Sequence, residues 1–419
     1  MNRVQRAIES QQEATRPKRL PIYAFFAGSV ISYIGDMLTL LAIPWFVLQT
    51  TGSVVQTGIT AFFSTLPTAL SAILGSTVVD RLGYKRTSVI GDIASGITVA
   101  LIPLLYHTTG LAFWQLLALV FLGGLLKSPG VTARFALIPE LAASAEMRLE
   151  QANALSDGVN RVSRFIGAPL AGVLIAVIGT SNLLWFDAAS FAISAILIGL
   201  AVPADPPLVK KEDGAQSYLA NLREGVRFIQ RDSLILSLVV TVMITNLLDG
   251  AYSSVVGPAY IKHVFNSALP FGLMVAAFGG ASFVGTLIFG AIGHRFPRRL
   301  TFGLGFTIGG ALRFWILLFP ILPLLIIWHL IAGFAIAPVN PLLNTIDQER
   351  VPVEMRARVF GMTSAGVLAG VPLGTLVSGY VVAWIGLQAT ILVMGALYLM
   401  TTLSLLINPA LRNMEKTAL

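Results

Sequence analysis

Carboxylates inside long apolar blocks are the residues of this sequence with the clearest potential for chemistry. Asp36 lies within the block 22–48, and Asp249 lies within the block 233–262. A charge inside hydrocarbon costs roughly 3 kcal/mol or more, so each carboxylate needs a partner, water or a function. A desolvated carboxyl is suited to exchanging a proton or binding a cationic ligand. For Asp36 the alternative is a permanent hydrogen bond within its own helix or to a neighbouring one.

Other charged residues in apolar surroundings are candidates of a second kind. Arg313 is the clear basic residue in the central part of the second half of the chain, and we expect it to pair with an acid across the bundle. Asp92 and Asp187 are secondary candidates, because each could instead snorkel or cap a neighbouring helix.

A third group consists of charges spaced to share one helix face. Asp157, Arg161 and Arg164 fall at i, i+4 and i+7, so the first two can form an ion pair within the helix. We interpret the group as a gate or a structural ion pair, with a proton site as the alternative.

The elements that carry these residues are membrane spans. Of the 419 residues, 55% are apolar and only 11% are charged, and the mean hydropathy is +0.80. A soluble chain of this length needs far more polar surface. The chain has no cysteine and only 4 histidines. A disulfide scaffold and a Cys-ligated metal site are therefore excluded, and we expect no cofactor.

Twelve apolar blocks are long enough to cross about 30 Å of hydrocarbon as helices. They lie at roughly 22–48, 54–79, 87–107, 112–133, 153–178, 182–202, 233–262, 269–293, 300–319, 323–345, 358–385 and 388–407. The predicted fold class is an all-α polytopic membrane protein with two six-helix halves around a central cavity.

The positions of the positive charges predict how the spans are oriented. The net charge of +8 includes 28 basic residues, which cluster at the ends of the apolar blocks. We therefore expect no nucleic-acid partner. Placing both termini in the cytoplasm leaves Lys262 as the single basic residue of the outer loops. This asymmetry obeys the positive-inside rule and predicts a multi-pass protein of the inner (plasma) membrane.

Five segments follow from this topology. They are a basic cytoplasmic N-terminal tail (1–21), an N-terminal six-helix bundle (22–202), a cytoplasmic linker (203–232), a C-terminal six-helix bundle (233–407) and a cytoplasmic C-terminal tail (408–419). The linker is predicted to contain an amphipathic helix on the anionic inner leaflet, because its apolar residues share one face. These residues are Leu219, Leu222, Val226 and Ile229.

The two bundles carry an internal repeat. Matches at an offset of 214 residues include Pro44 with Pro258, Gly58 with Gly272, Arg81 with Arg295 and Gly96 with Gly310. Matches at 207 are Gly172 with Gly379 and Gly179 with Gly386. Asp36 meets Asp249 within one residue of the first offset. Repeated halves build a cavity at their interface, so the two carboxylates could face one acidic cavity suited to cationic amphiphiles. A relic of duplication is the alternative.

The loop after the second block resembles the loop signature of the major facilitator superfamily, a Gly, then Asp-Arg, then Gly followed by basic residues. It spans 75–86, and Ser76 occupies the first glycine position of the signature. The resemblance implies a conformational latch that holds an outward-open state through charge-assisted hydrogen bonds. The latch residues are Asp80, Arg81, Gly83, Lys85 and Arg86, with Arg134 as a plausible partner of Asp80. The alternative for the three loop bases is a role in topology alone.

Motifs along nearly the whole chain are similar to those of the drug and siderophore exporter branch, which includes macrolide efflux proteins and enterobactin exporters. They include Gly35-Asp36, Pro44-Trp45, Thr51-Gly52-Ser53, Asn153-Ala-Leu and the stretches 134–141, 187–191 and 224–228. Gly167, Pro169 and Gly172 partly resemble the antiporter motif of the superfamily, and such small residues permit close helix contact.

These features favour transport over catalysis. The sequence has no phosphate-cradling Gly-rich loop and no constellation of nucleophile and base, so neither an ATP-driven pump nor an enzyme is expected. We expect a monomeric, proton-coupled exporter of small amphiphilic drugs such as macrolides, with the proton gradient as its energy source and membrane lipid as its surroundings. The alternatives are an exporter of a siderophore or other metabolite, and a lipid flippase or non-transporting receptor of the same fold.

Overall fold

The computed structural model describes residues 19–203, 215–352 and 355–415, and within them the chain is helical almost throughout, with no strand. The first half contains α1 (Leu20–Thr51), α2 (Val54–Leu82), α3 (Tyr84–Thr108), α4 (Phe113–Ser144), α5 (Leu149–Ile178) and α6 (Thr180–Ala201). A linker helix, α7 (Ala215–Arg231), follows. The second half contains α8 (Ser233–Phe265), α9 (Leu269–Ile292), α10 (Arg298–Leu318), α11 (Leu322–Arg350), α12 (Arg356–Ile385) and α13 (Leu387–Ile407).

Eleven of the described helices are long and apolar enough to cross a membrane. The remaining helix of the two halves, α2, has 29 residues, and its length also suffices for a bilayer of about 30 Å. The predicted all-α fold with two six-helix halves is thus confirmed. The linker helix α7 separates the two halves, and the six helices of each half correspond in order. Helix α1 is therefore equivalent to α8, and α5 is equivalent to α12.

The two halves meet through two repeat-related helix pairs, α2 with α12 and α5 with α9. A Cβ atom on Gly58 of α2 would lie 2.7 Å from the carbonyl oxygen of Thr375 and 3.1 Å from the Cα of Gly379 in α12. A Cβ on Gly272 of α9 would lie 2.6 Å from the carbonyl oxygen of Ala168 and 3.3 Å from the Cα of Gly172 in α5. Backbones this close leave no room for side chains.

The four glycines of these contacts are repeat mates that pair crosswise. In the repeat, Gly58 corresponds to Gly272, and Gly172 corresponds to Gly379. In the structure, Gly58 contacts Gly379, and Gly172 contacts Gly272. Both contacts lie near the end of the bundle at which α1 ends and α2 begins, here called the distal end. The opposite end, at which α1 begins and α13 ends, is the proximal end.

Three of the glycines in tight turns between helices share one backbone conformation. Gly83 separates α2 from α3 with φ of 86° and ψ of 164°, and Gly179 and Gly386 end α5 and α12 with nearly the same angles. This region of backbone space is essentially restricted to glycine. The turn explains why the last pair of the repeat is glycine in both halves.

Several helices run past the apolar blocks that predicted them. The fourth block was expected to end at 133, whereas α4 continues to Ser144. The extension is helical because Leu137, Ile138 and Leu141 are buried in a cluster with Ile22 of α1 and other apolar residues. Protein packing therefore extends this helix beyond its apolar block.

The last turn of the linker helix packs against protein. The side chains of Leu219 and Leu222 lie outside the described residues, so the position of this helix on the inner leaflet stays a prediction. Ile229 is buried against Ile235 of α8, Val351 and Val359. Asp232 then ends α7 and caps α8, because its carboxylate accepts hydrogen bonds from the backbone N–H groups of Leu234 and Ile235 at 2.9 and 3.1 Å. The linker thereby becomes part of the proximal end of the second half.

Candidate functional site

An ion pair between α1 and α4 occupies the interior of the first half. Lys127 Nζ contacts Asp36 Oδ1, and the same ammonium lies 5.3 Å from the ring centroid of Phe191 on α6. The side chains of Asp36 and Lys127 are 17% and 29% exposed, so the pair is partly open to the adjoining cavity. A partly desolvated pair of this kind is electrostatically strong, and its partners can exchange with protons or charged ligands.

A second carboxylate lies beside this pair. Asp187 of α6 is buried, and it accepts hydrogen bonds from the hydroxyls of Thr39 and, at 3.2 Å, Ser190. Gly35 of α1 makes this approach possible, because a Cβ there would overlap the Asp187 carboxylate and come within 2.9 Å of the Cβ of Ser190. Asp187, a secondary candidate from the sequence, thus joins Asp36 in one group.

These side chains line one cavity of about 560 Å³ that is formed mainly by the first half, with Ser254 of α8 and Leu368 of α12 as lining residues from the second half. Its charged residues are Asp36, Lys127 and Asp187, two acids and one base. Hydroxyl groups of α2, α3 and α4 line it as well, among them Thr57, Ser64, Thr98 and Ser128. Apolar side chains, including Leu40, Ile43 and Phe191, complete the wall. The cavity is large enough for a drug-sized molecule, and its mixed lining suits an amphiphile.

Arg134 lies deeper in the first half and is held by Asp92. Its Nη2 contacts Asp92 Oδ2 and donates to Ser194 Oγ at 3.0 Å, and its Nε donates to Ser88 Oγ at 3.1 Å. Both charged residues are 4% exposed. The carboxylate that the structure describes at this guanidinium is that of Asp92, because α3 packs along α4 at this level. The pairing of Arg134 with Asp80, whose side chain lies outside the described residues, stays a prediction.

The other predicted latch residues lie at the end of α2, in the turn after it and at the start of α3. The side chains of Asp80 and Arg81 lie outside the described residues. Gly83 forms the turn described above, Lys85 is half-buried, and Arg86 is exposed at the start of α3. The latch itself stays a prediction.

The second half contains its own ion pair. Arg313 Nη2 of α10 contacts Asp249 Oδ1 of α8, and the hydroxyl of Tyr398 on α13 donates to Asp249 Oδ2 at 3.3 Å. The Arg313 guanidinium lies 4.3 Å from the ring centroid of Tyr252 and 5.0 Å from that of Phe278. Cation–π contact with two rings stabilises a buried guanidinium. The acid expected for Arg313 is therefore Asp249.

His329 of α11 is a packing residue in this cluster. Its Nδ1 donates to the carbonyl oxygen of Leu325 at 2.7 Å, since a carbonyl can only accept. In the neutral ring Nε2 then accepts from the hydroxyl of Tyr252 at 2.9 Å. Both nitrogens are thereby satisfied by protein.

Asp36 and Asp249 line two different parts of the interior, so the shared acidic cavity that was one of the two alternatives stays a prediction. Asp36 lines the 560 Å³ cavity of the first half, and Asp249 lines a separate cavity of about 350 Å³ with Arg313 and Asn246. Each carboxylate is drawn into its own half by a base of that half. The bases lie on non-equivalent helices, α4 in the first half and α10 in the second, so the repeat did not predict them.

The ion pair that the spacing predicts between Asp157 and Arg161 on α5 is absent from the part of the chain that the structure describes. Arg161 lies over the ring of Phe283 on α9, with 5.8 Å between the guanidinium carbon and the ring centroid. Arg164 Nε donates to Asn160 Oδ1 at 2.9 Å, and Asp157 is exposed. The contact of Arg161 with the other half competes with the pairing that the spacing suggested.

The small residues of the antiporter-like motif serve helix contacts. A Cβ on Gly167 would lie 2.7 Å from Met37 Cβ of α1, and one on Gly172 would lie 3.0 Å from the Cα of Leu269 in α9. Pro169 lies between them inside α5. The close contacts expected of this motif are therefore present on two sides of α5.

Lys127 is the residue of this candidate site that the sequence analysis did not identify. It is the single charged residue in the fourth apolar block, 112–133, which is the same signal that identified Asp36. Thr39 donates a hydrogen bond to Asp187, and Tyr398 donates one to Asp249. Neither residue could be identified from the sequence, because hydroxyl residues are frequent in these helices.

Comparison with known proteins places the chain in a family. The family model of the Major Facilitator Superfamily matches residues 25–254 and 238–417. The multidrug efflux pump Tap of Mycolicibacterium fortuitum is 28% identical over 404 residues, which cover 96% of this chain and 98% of that protein. Macrolide efflux protein A of Streptococcus pyogenes is 20% identical over 393 residues, covering 90% and 93%.

Solved structures agree with the fold. The nucleoside transporter NupG superposes with a TM-score of 0.75 at 14% identity, covering 92% of this chain and 98% of that one. A bacterial homolog of the human lysosomal transporter Spinster, in an inward-facing and unoccupied conformation, superposes with a TM-score of 0.67 at 16% identity, covering 96% of each chain. The chain therefore belongs to the Major Facilitator Superfamily and is a multi-pass membrane transporter, not an enzyme.

Proposed function

We propose that the protein is a secondary transporter that exports cationic amphiphilic drugs in exchange for protons. The observation that carries the proposal is the group of Asp36, Lys127 and Asp187 in the wall of the 560 Å³ cavity. With all three ionised, the group has an excess of one carboxylate over one ammonium. An organic cation with an apolar body matches both this charge and the mixed lining of the cavity. A multidrug efflux pump and a macrolide efflux protein align with nearly the whole chain, which supports this class of substrate.

Proton coupling follows from the chemistry of the Asp36–Lys127 pair. A proton on Asp36 removes the charge that holds Lys127, whereas a cationic substrate near Asp36 and Asp187 favours both carboxylates in the ionised form. Proton and cationic substrate therefore compete for the same negative charge, which is the requirement for exchange. The second pair, Asp249 with Arg313, lies in a different cavity and is a candidate for a second proton site.

Alternating access is supported by the way the halves meet. The glycine contacts of α2 with α12 and of α5 with α9 close the distal end. With the proximal end in the cytoplasm, as the positive charges predict, this arrangement corresponds to an inward-facing state. Rocking of one half about the cavity would then separate the same glycine contacts and open the distal end.

The proposal is tested by transport into everted membrane vesicles. A pH gradient, acid inside, should drive uptake of a fluorescent lipophilic cation by the native protein, and Asp36→Asn should abolish the gradient-dependent part. Glu140→Gln is the matched control, because Glu140 is an exposed acid of α4, away from the cavity. Equal gradient-driven uptake by Asp36→Asn and the native protein, at equal expression, would refute the role of Asp36. A macrolide in the same assay decides the narrower substrate class.

A further inference from the structure

Arg161 of α5 lies where an external groove meets two interior cavities. It lines a groove of about 870 Å³ between α5 and the helices α9, α10 and α11, here called the α5–α9 groove. It also lines the Asp249 cavity and a further cavity of about 350 Å³. The last of these, here called the basic cavity, lies between the halves, with Met37 of α1 on one side and Phe271 of α9 on the other.

The α5–α9 groove is apolar apart from Arg161. Its walls consist of alanine, glycine and large apolar side chains, among them Phe165 of α5 and Phe334 of α11. These two phenylalanines are 53% and 48% exposed, so the groove is open at the side of the bundle. In a membrane protein that side faces hydrocarbon, and an acyl chain is the ligand that matches such a surface.

The basic cavity has three arginines in its wall and no carboxylate. They are Arg161, Arg164 and Arg313. Within the described chain, Arg161 contacts the ring of Phe283 but no hydrogen-bond acceptor, and Arg164 has only the side-chain oxygen of Asn160. Arg313 is paired with Asp249 through Nη2, but its Nε is buried without a hydrogen-bond partner. A buried donor without an acceptor, such as this Nε, is rare in folded proteins, and Arg161 and Arg164 add two exposed guanidinium groups beside it.

We propose that the basic cavity and the α5–α9 groove together bind one anionic phospholipid from the surrounding membrane. Its phosphate binds the guanidinium groups of Arg161 and Arg164, with the Nε of Arg313 as a further donor, and one of its acyl chains lies in the groove. Arginine is the side chain best suited to phosphate, since its planar donors match the oxygens in pairs.

The charge of this site separates it from the substrate cavity. The cavity of the first half has two acids and one base, whereas the basic cavity has three arginines and, among the described residues, no carboxylate. His329 and Tyr252 are its other ionisable side chains. A cationic drug is therefore repelled by the second site, and a free phosphate would leave the apolar groove unoccupied. An anionic phospholipid has both a phosphate for the arginines of the basic cavity and an acyl chain for the α5–α9 groove.

The test measures lipid binding to the purified full-length protein by native mass spectrometry. Phosphatidylglycerol, phosphatidylcholine of the same acyl chains and glycerol 3-phosphate are titrated separately. We expect one phosphatidylglycerol to bind at least about tenfold more tightly than phosphatidylcholine, because the zwitterionic headgroup has no net charge for the arginines. The double variant Arg161→Gln with Arg164→Gln should lose this preference. Arg295→Gln, which removes an exposed base elsewhere, should retain it.

A second variant tests the groove without changing any charge. Ala281→Phe places a ring in the groove and should weaken phosphatidylglycerol binding while the protein remains folded. The proposal is overturned if the double arginine variant keeps the lipid preference, or if glycerol 3-phosphate binds as tightly as phosphatidylglycerol. Unchanged binding by Ala281→Phe would overturn the placement of the acyl chain. None of these results depends on whether the protein exports drugs.

Discussion

Lys262 contacts the carbonyl oxygen of Leu48, the residue to which it corresponds in the internal repeat. The ammonium of Lys262 near the end of α8 donates to this carbonyl near the end of α1, 214 positions earlier. A cation at the C-terminal end of a helix is favoured by the helix dipole, and the Leu48 carbonyl accepts from Lys262 in addition to the backbone N–H of Gly52. The contact joins the two halves at the distal end, next to the glycine contacts, so we interpret it as part of the distal closure.

Loss of this contact should favour the state that is open at the distal end. A hydrogen bond from a charged group contributes about 1.5–3 kcal/mol, so Lys262→Met should shift the equilibrium about tenfold or more. The shift can be measured by electron–electron distance spectroscopy between spin labels at Thr109→Cys and Gln388→Cys, exposed residues of the two halves. The native chain has no cysteine, so labelling is confined to these sites. An unchanged distance distribution would contradict a role for Lys262 in closure.

The glycine contacts should be intolerant of even one methyl group. In Gly272→Ala the new Cβ would lie 2.6 Å from the carbonyl oxygen of Ala168, so α5 and α9 cannot approach as they do in the native chain. We expect loss of transport and a larger distal distance. Gly290→Ala on the same helix is the control, since a Cβ there meets nothing within 4 Å. If both variants transport equally well, the close approach is not needed for function.

The turn between α2 and α3 should require glycine for its backbone angles. Non-glycine residues in this region of φ and ψ cost about 1–3 kcal/mol, so Gly83→Ala should lower the melting temperature of the purified protein. Gly158→Ala, inside α5 and with nothing within 4 Å of its Cβ, should raise stability by up to about 1 kcal/mol. A Gly83→Ala protein as stable as Gly158→Ala would show that this turn can relax.

The Asp92–Arg134 pair should behave as one buried unit. Removing either partner leaves the other charge uncompensated, which costs about 3–5 kcal/mol at a buried site. Asp92→Leu and Arg134→Met should therefore each reduce the yield of folded protein, and the double variant should recover part of it. Yields that fall additively in the double variant would indicate that the two side chains act independently. Gel filtration of the expressed protein and its melting temperature provide the measurement.

The fold could be predicted well because the length of each apolar block and the internal repeat are visible in the order of the residues. It predicted the site less well, because contacts between helices depend on their rotation and tilt. Asp36 was identified by its position in a membrane span, but its partner Lys127 became apparent only when α1 and α4 were placed together. Spacing alone suggested an ion pair of Asp157 with Arg161, whereas the ring of Phe283 on another helix holds that arginine. The repeat likewise matched Gly58 with Gly272 but could not show that the first contacts Gly379 and the second contacts Gly172.

Proton movement coupled to substrate tests the central claim most directly. The purified protein is reconstituted in vesicles that contain a pH-sensitive dye, and a lipophilic cation is added on one side with no pH gradient imposed. We expect the native protein to move protons opposite to the substrate, so that the internal pH changes as substrate enters, and Asp36→Asn to show no such change. Substrate movement by the native protein without any change of internal pH would contradict proton exchange at the Asp36–Lys127 pair.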